Sequence, residues 1–352
     1  MTEDTRIQAG VLRQFCIEAF EKAGVPPEDA RAVADIQVES DLRGVHTHGA
    51  YAILGYIGRI QQGGTNPRPN IRIVKESPTH ALIDGDWGLG QLVAARAMQA
   101  CITRAKQSGM ASAGAMHSNH FGAAASYSMM ALKEDFIGFA YTNAAAVIPP
   151  TGGKTGIFGT NPISYAVPTA RSFPVVLDIA TSLVAQQKLF LAAREGQKIP
   201  LGWGMDADGN FTDDPRVALR SGIQPAMAGH KGYGLAMMVE ILSAVMTGGW
   251  FGRASAGKNW MPNMRLNIGH FFMAINPALY MSIEEFKERM ETLIGEIHGA
   301  DKMQGVDRTY TPGEIEYLKK ENYLKNGIPF PPATLAQMEE FGQKLGVGVR
   351  LR

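Results

Sequence analysis

Apolar side chains recur at helical spacing from Leu12 to Phe20, and Gly24 with Pro26 and Pro27 closes that segment. Glu28 to Asp41 repeats the pattern, with Ala30, Val33, Ala34, Ile36 and Val38 on one side, and predicts a second helix. Gly63-Gly64-Thr65-Asn66-Pro67 reads as a loop before a short alternating strand, Ile71 to Val74. Leu92 to Gln107 is an alanine-rich helix ending near Gly109. From Ala111 to about Leu177 the chain turns to Gly, Ala, Pro and short apolar runs. Ile137 to Tyr141, Ile163 to Val167 and Val175 to Leu177 are expected as buried strands. Thr181 to Arg194 and Gly232 to Val245 read as helices, and Gly202 to Gly209 as a hairpin or loop. Ser282 to Gly299 and Ala333 to Leu345 are amphipathic helices. The expected fold is mixed α/β with helices mainly at both ends.

No run reaches the ~18 apolar residues that a membrane span requires. Leu235 to Met246 comes nearest, but Glu240 and Ser243 interrupt it, which predicts a buried helix. The first eight residues are polar and carry no apolar targeting core, so the expected location is cytoplasmic. Lys plus Arg number 34 and Asp plus Glu 33, a balance without the field that draws nucleic acid or an anionic membrane. Cys16 and Cys101 are too few for a disulfide framework.

Two phosphate-binding signatures fail. Gly85, Gly88 and Gly90, like Gly229, Gly232 and Gly234, run in the reverse of the Gly-x-Gly-x-x-Gly order. Gly153-Lys154-Thr155 mimics the end of a P-loop, but Ile148 stands where its first glycine belongs. Gly-x-Ser-x-Gly is absent, which removes support for an α/β-hydrolase.

Five polar segments remain. Asp41-Leu42-Arg43-Gly44-Val45-His46-Thr47-His48-Gly49 follows a helix and admits three readings: a polar cap, half of a metal site, or acid/base chemistry. His117-Ser118-Asn119-His120 supplies the partner pair that a metal-dependent lyase or hydrolase would need. No carboxylate or thiolate stands at ligand spacing beside either pair, so no metal is expected. Thr142-Asn143 and Gly159-Thr160-Asn161-Pro162 would hold a cofactor or brace a loop. Asp178 ends a buried strand before Thr181-Ser182, in the manner of a helix cap or a phosphate site. Gly229-His230-Lys231-Gly232-Tyr233-Gly234 opens the apolar helix as an anion site or a plain loop.

Taken in order, these segments resemble the type-2 malate/L-lactate dehydrogenase family, across about Gly10 to Leu345. Gly202-Trp203-Gly204 with Asp206 to Gly209 belongs to the same pattern. The resemblance implies an NAD- or NADP-dependent oxidoreductase acting on a small 2-oxo or 2-hydroxy acid, with a non-Rossmann cofactor site and homodimeric assembly. The family also includes ureidoglycolate dehydrogenases and a cyclic-imine reductase, either of which is an alternative for this chain. By position, the resemblance implies that His120 is the main acid/base, with His48 beside substrate and nicotinamide. Asp178 is a candidate to fix a histidine tautomer. His48, Asn143, Asp178, Ile179, Ala180, Thr181, His230, Lys231, Gly232 and Glu314 are implied to contact the cofactor, and Thr47, Tyr56 and Arg43 the substrate. The expected division is a helical segment 1–75 packing with 280–352, a core of 76–120 and 225–279, and a cofactor domain 121–224. The chain departs from the family at Ala52, where an arginine usually grips the substrate carboxylate. Arg43 or Arg59 would then take that role, or the substrate differs from simple malate or lactate.

Overall fold

A computed structural model of the chain describes residues 4–255 and 261–352. The first helices extend the sequence pattern by a few residues. After a short strand β1 (Thr5–Ile7) come α1 (Ala9–Lys22), α2 (Pro27–Leu42) and α3 (Ile53–Gln61). Their apolar faces share one core with the chain's end, where Ile328, Phe330, Leu335 and Met338 pack against Leu12, Phe15, Phe20 and Val38. That closure is reinforced by pairing of β1 with β11 (Ile328–Phe330).

The centre is a mixed seven-stranded sheet. In chain order its strands are β2 (Arg72–Ser77), β3 (His80–Asp84), β4 (Met110–Ser118), β5 (Ile137–Thr142), β6 (Ile163–Val167), β7 (Val175–Ile179) and β10 (Ile268–Ile275). Their spatial order is β2-β3-β4-β10-β5-β6-β7, and only the β3–β4 pair is parallel. The crossover between those two is α4 (Gly90–Ser108), as a parallel connection requires. Alanines at 81, 94, 97, 113, 115 and 274 let α4 lie close on the sheet. β10 inserts between β4 and β5, so a strand from late in the chain joins segments more than a hundred residues earlier.

Smaller elements complete the chain. They are α5 (Ala125–Ser128), α6 (Gln186–Glu195), the hairpin β8 (Gly204–Met205) and β9 (Phe211–Thr212), and α7 (Pro215–Ser221). After α8 (His230–Glu240) come α9 (Ile283–Gly299), α10 (Glu314–Asn326) and α11 (Pro332–Leu345).

Two expectations need correction. Thr181 to Ala185 is not helical. Its backbone pairs instead with Thr160, Pro225 and Met227, so α6 starts only at Gln186 and neither Thr181 nor Ser182 caps a helix. The stretch Leu235 to Met246 is buried on one face only, through Ala236, Val239, Glu240, Ser243 and Ala244. After α8 a π-helical turn covers Ile241–Val245, and Leu235, Met238, Ile241, Val245 and Met246 are exposed. Among the described residues, no helix is long and apolar enough to cross a membrane.

Candidate active site

The polar segment after α2 is held by a carboxylate that turns back on it. Asp41 is fully buried. It accepts from Ala50 N–H at 2.6 Å and lies 2.8 Å from His46 Nδ1. A Cβ on Gly49 would come within 2.1 Å of Asp41 Oδ1, so only glycine permits this closure. It spends His46 on structure and turns His48 to the other side, where Thr47 Oγ1 meets its Nδ1 at 2.8 Å.

His120 arrives from the end of β4. α4 begins so close to it that a Cβ on Gly90 would lie 2.4 Å from the His120 carbonyl. The two imidazoles stack at 5.4 Å and 21°, and the Tyr56 ring of α3 lies 6.0 Å from that of His120 at 22°. Tyr56 Oη lies 2.7 Å from His120 Nδ1, and Gly122 N–H donates to the same nitrogen at 3.4 Å. An amide N–H can only donate, so Nδ1 carries the lone pair and the ring's proton sits on Nε2. Burial, with help from His48, pushes the His120 pKa down to about 3, and burial lowers that of His48 too. Both rings work as neutral imidazole. The Tyr56 phenol is pushed up by its own burial and stays protonated.

The two imidazoles line a cavity of about 630 Å³, together with Arg43, Thr47, Asn143, Asp178, Ile179 and Ala180. The turn Gly122 to Ser126 forms one wall, and Tyr310 to Glu316 closes another side. Asp178 stands near the end of β7 and opens onto the cavity. Burial raises its pKa to about 6, against an Ala125 N–H donor at 2.8 Å and the charge of Arg43. Arg43 is buried, which lowers its pKa. Glu39, Glu316 and Asp178 surround it and favour its charge.

Other residues singled out in the sequence lie elsewhere. Tyr56 reaches the site through His120 and does not line the cavity. Thr181 is fully buried and bonds the Thr160 carbonyl. Glu314 turns its carboxylate away from the cavity, to His298, Arg308 and Thr311. Its neighbours Gly313 and Glu316 line the wall instead. His230 borders a separate groove of about 310 Å³, with Pro149, Pro150 and Tyr233. Lys231 is exposed, and Gly232 is buried at the start of α8. Arg59 donates to the Met261 and Met264 carbonyls and faces away from the cavity. Ala52 ends a short 3-10 turn and packs on the N-terminal core.

Sequence reasoning missed two contributors. The segment Ile53, Tyr56, Ile57, Ile60 had the helical spacing to reveal α3, which carries Tyr56. Helix α10, which brings Glu316 to the cavity, is polar on most sides and gives little periodic signal.

The structure gives the metal reading no support among the described residues. His117 Nδ1 pairs with Asp84 at 3.0 Å and its ring packs on Trp87, while His46 is committed to Asp41. Among the described residues, no three His, Cys, Asp or Glu side chains converge on a metal position. Dialysis against a chelator is therefore expected to leave turnover unchanged, as an assay before and after would show.

The sequence profile of the malate/L-lactate dehydrogenase family matches residues 7–339. Malate dehydrogenase of Pyrococcus horikoshii is 39% identical over 349 residues, covering 97% of this chain and 96% of that one. L-Sulfolactate dehydrogenase of Methanocaldococcus jannaschii is 40% identical over 341 residues, 96% of each chain. Ureidoglycolate dehydrogenase (NAD(+)) of Escherichia coli is 32% identical over 323 residues, 92% of each chain. Among solved structures, malate dehydrogenase from Entamoeba histolytica superposes with a TM-score of 0.93 at 30% identity, covering 98% of this chain and 99% of that one.

Proposed function

The chain belongs to the malate/L-lactate dehydrogenase family, and from that premise we propose that its cavity interconverts a small 2-oxo acid and the matching 2-hydroxy acid with a nicotinamide cofactor. The observation that carries this is the neutral His120 ring on the cavity wall, with its proton fixed on Nε2 by two partners at Nδ1.

The cavity suits a dinucleotide. Its volume falls in the ~300–1,000 Å³ range of ligand pockets. The run Gly122-Ala123-Ala124-Ala125 leaves backbone open to close approach. Asn143, Asp178, Ile179 and Ala180 would hold the cofactor along this wall. When bound there, the reduced nicotinamide supplies hydride to the carbonyl carbon. His120 Nε2–H donates to the carbonyl oxygen, and its proton passes to that oxygen as negative charge develops. Tyr56 O–H and Gly122 N–H, both on Nδ1, stabilise the charge the ring acquires as the proton leaves. His48, held by Thr47, packs over His120 and orients it. Tyr56→Phe keeps the ring's packing and removes one of the two donors. Steady-state assays of that variant are expected to show kcat about tenfold lower, with KM little changed.

Arg43 takes the substrate carboxylate in place of the family arginine lost at Ala52, since Arg59 is committed to backbone carbonyls. Ala52→Arg is then expected to leave kcat/KM for dicarboxylic oxo acids unchanged or lower. A rise of about tenfold or more would place the clamp at position 52. We propose NADH over NADPH. The charged side chains lining the cavity among the described residues are Asp178, Glu316 and Arg43, which leaves no second cation for a 2′-phosphate. A homodimer is proposed on the exposed apolar side of α8 and its π turn, and a cytoplasmic location on the two cysteines, both free and buried. A panel of 2-oxo acids assayed with each reduced dinucleotide tests the assignment. Oxidation of NADH by at least one small 2-oxo acid supports it, and inertness of folded protein toward the whole panel overturns it.

A further inference from the structure

His270 lies in the middle of β10, is 0% exposed, and has no place in the reaction as so far described. It faces Thr142 on β5 and Ala115 on β4, and its ring stacks on Phe121 at 4.9 Å and 15°. Its Nδ1 is 2.7 Å from Thr142 Oγ1, and its Nε2 is 2.7 Å from Ser118 Oγ. Thr142 lines the cavity beside Asn143. Ser118 ends β4, two residues before His120.

The direction of each hydrogen bond follows from its neighbours. Thr142 Oγ1 also lies 3.0 Å from the Gly269 carbonyl and 3.1 Å from the Asn143 carbonyl. Carbonyl oxygens only accept, so the Thr142 proton goes to one of them and its oxygen accepts from His270 Nδ1–H. Burial, with His120 nearby, keeps His270 neutral, so Nε2 has no proton and accepts from Ser118 O–H. The opposite order would leave the Thr142 oxygen facing two carbonyls with no proton between them, a costly arrangement without water. The chain runs from Ser118 through His270 to Thr142 and ends on the backbone. Each buried polar atom along it has a partner.

We propose that His270 is a positioning residue for the reaction: through Ser118 it fixes the turn that carries His120, and through Thr142 it fixes the cavity wall beside Asn143. The proposal rests on the assignment of His120 as the proton-transferring group. A residue that merely filled the core would need neither oriented bond.

Three substitutions separate the two roles. His270→Phe keeps the volume and the stack on Phe121 but deletes both bonds. His270→Asn places an amide N–H near the position of Nδ1 and can keep Thr142. His270→Gln reaches the position of Nε2 and can keep Ser118. Each is assayed beside wild type for kcat, KM, NADH affinity by fluorescence titration, and thermal midpoint. The expected result is a kcat lower by about tenfold or more in His270→Phe with NADH affinity within about threefold, and recovery of at least half that loss, on a logarithmic scale, by Asn or Gln. Wild-type kcat in His270→Phe, equal loss in all three variants, or a loss matched by the fraction unfolded would overturn it. If the phenylalanine variant does not fold, Ser118→Ala removes one bond at almost no change in volume. A drop in its kcat at unchanged NADH affinity supports the proposal, and wild-type kcat refutes it. Failure of the wild-type protein to turn over any 2-oxo acid would strike the proposed function instead, so the two failures are distinguishable.

Discussion

His120→Ala lowers kcat for 2-oxo acid reduction by about 10²–10⁴-fold while NADH affinity stays within about threefold. The split follows from where the ring stands. Its Nδ1 is occupied by Tyr56 and Gly122, and its Nε2–H is left for the carbonyl oxygen. In the proposed function the cofactor contacts fall to other parts of the wall, where Asn143 and the end of β7 line the cavity. Alanine removes the proton and leaves those contacts standing. Stopped-flow and steady-state rates, paired with a binding titration, measure both quantities. A variant that keeps near-normal turnover would move the proton-transfer role to His48. One that loses NADH affinity and turnover together would make His120 a cofactor contact.

The second large effect belongs to Arg43. Arg43→Met is expected to raise KM for the 2-oxo acid by about thirtyfold or more, since removing one member of a buried, hydrogen-bonded charge pair costs about 2–5 kcal/mol. Arg43→Lys should recover only part of this, because a point charge cannot make the bidentate pair with a carboxylate. The arginine sits among Glu39, Glu316 and Asp178, and Glu39 keeps its own partner in Lys320, both of its oxygens at 2.7 Å. Loss of the guanidinium therefore leaves Asp178 and Glu316 facing the substrate anion, which adds repulsion to the lost attraction. An unchanged KM in Arg43→Met would contradict the assignment and reopen the question that Ala52 raises.

Much of the frame could be read from periodicity. The helices α1, α2, α4, α9 and α11 carry regular apolar faces, and β5 and β6 are short apolar runs between turn residues, so each stood out. The strands β3, β4 and β10 did not. β4 is built from alanine, glycine and serine because α4 must lie close against it, and those residues carry no strand signature. α8 misled for a different reason: it is apolar on several sides, and local apolarity does not say which side meets the core, so Ala236 and Val239 are buried while Leu235 and Met238 are exposed. At the site, the motifs named His48, His120, Arg43 and Asp178, and the fold brings all four to one cavity. Roles that depend on distant pairing were out of reach. His46 and His117 look equal to His48 and His120 in sequence, and only Asp41 and Asp84 show that they are structural. Glu314 and Glu316 stand two residues apart, about half a helical turn, which puts them on opposite sides of α10 and decides which of them faces the cavity.

The central claim is that the cavity holds a reduced nicotinamide ring against a carbonyl carbon beside His120. It is tested most directly by incubating the protein with NADH deuterated at the transferring position and the most reactive 2-oxo acid of the panel, then analysing the product by mass spectrometry. The account predicts a 2-hydroxy acid carrying a single deuterium on its carbinol carbon. A product without the label, or no product from folded protein that has been shown to bind the cofactor, would contradict it.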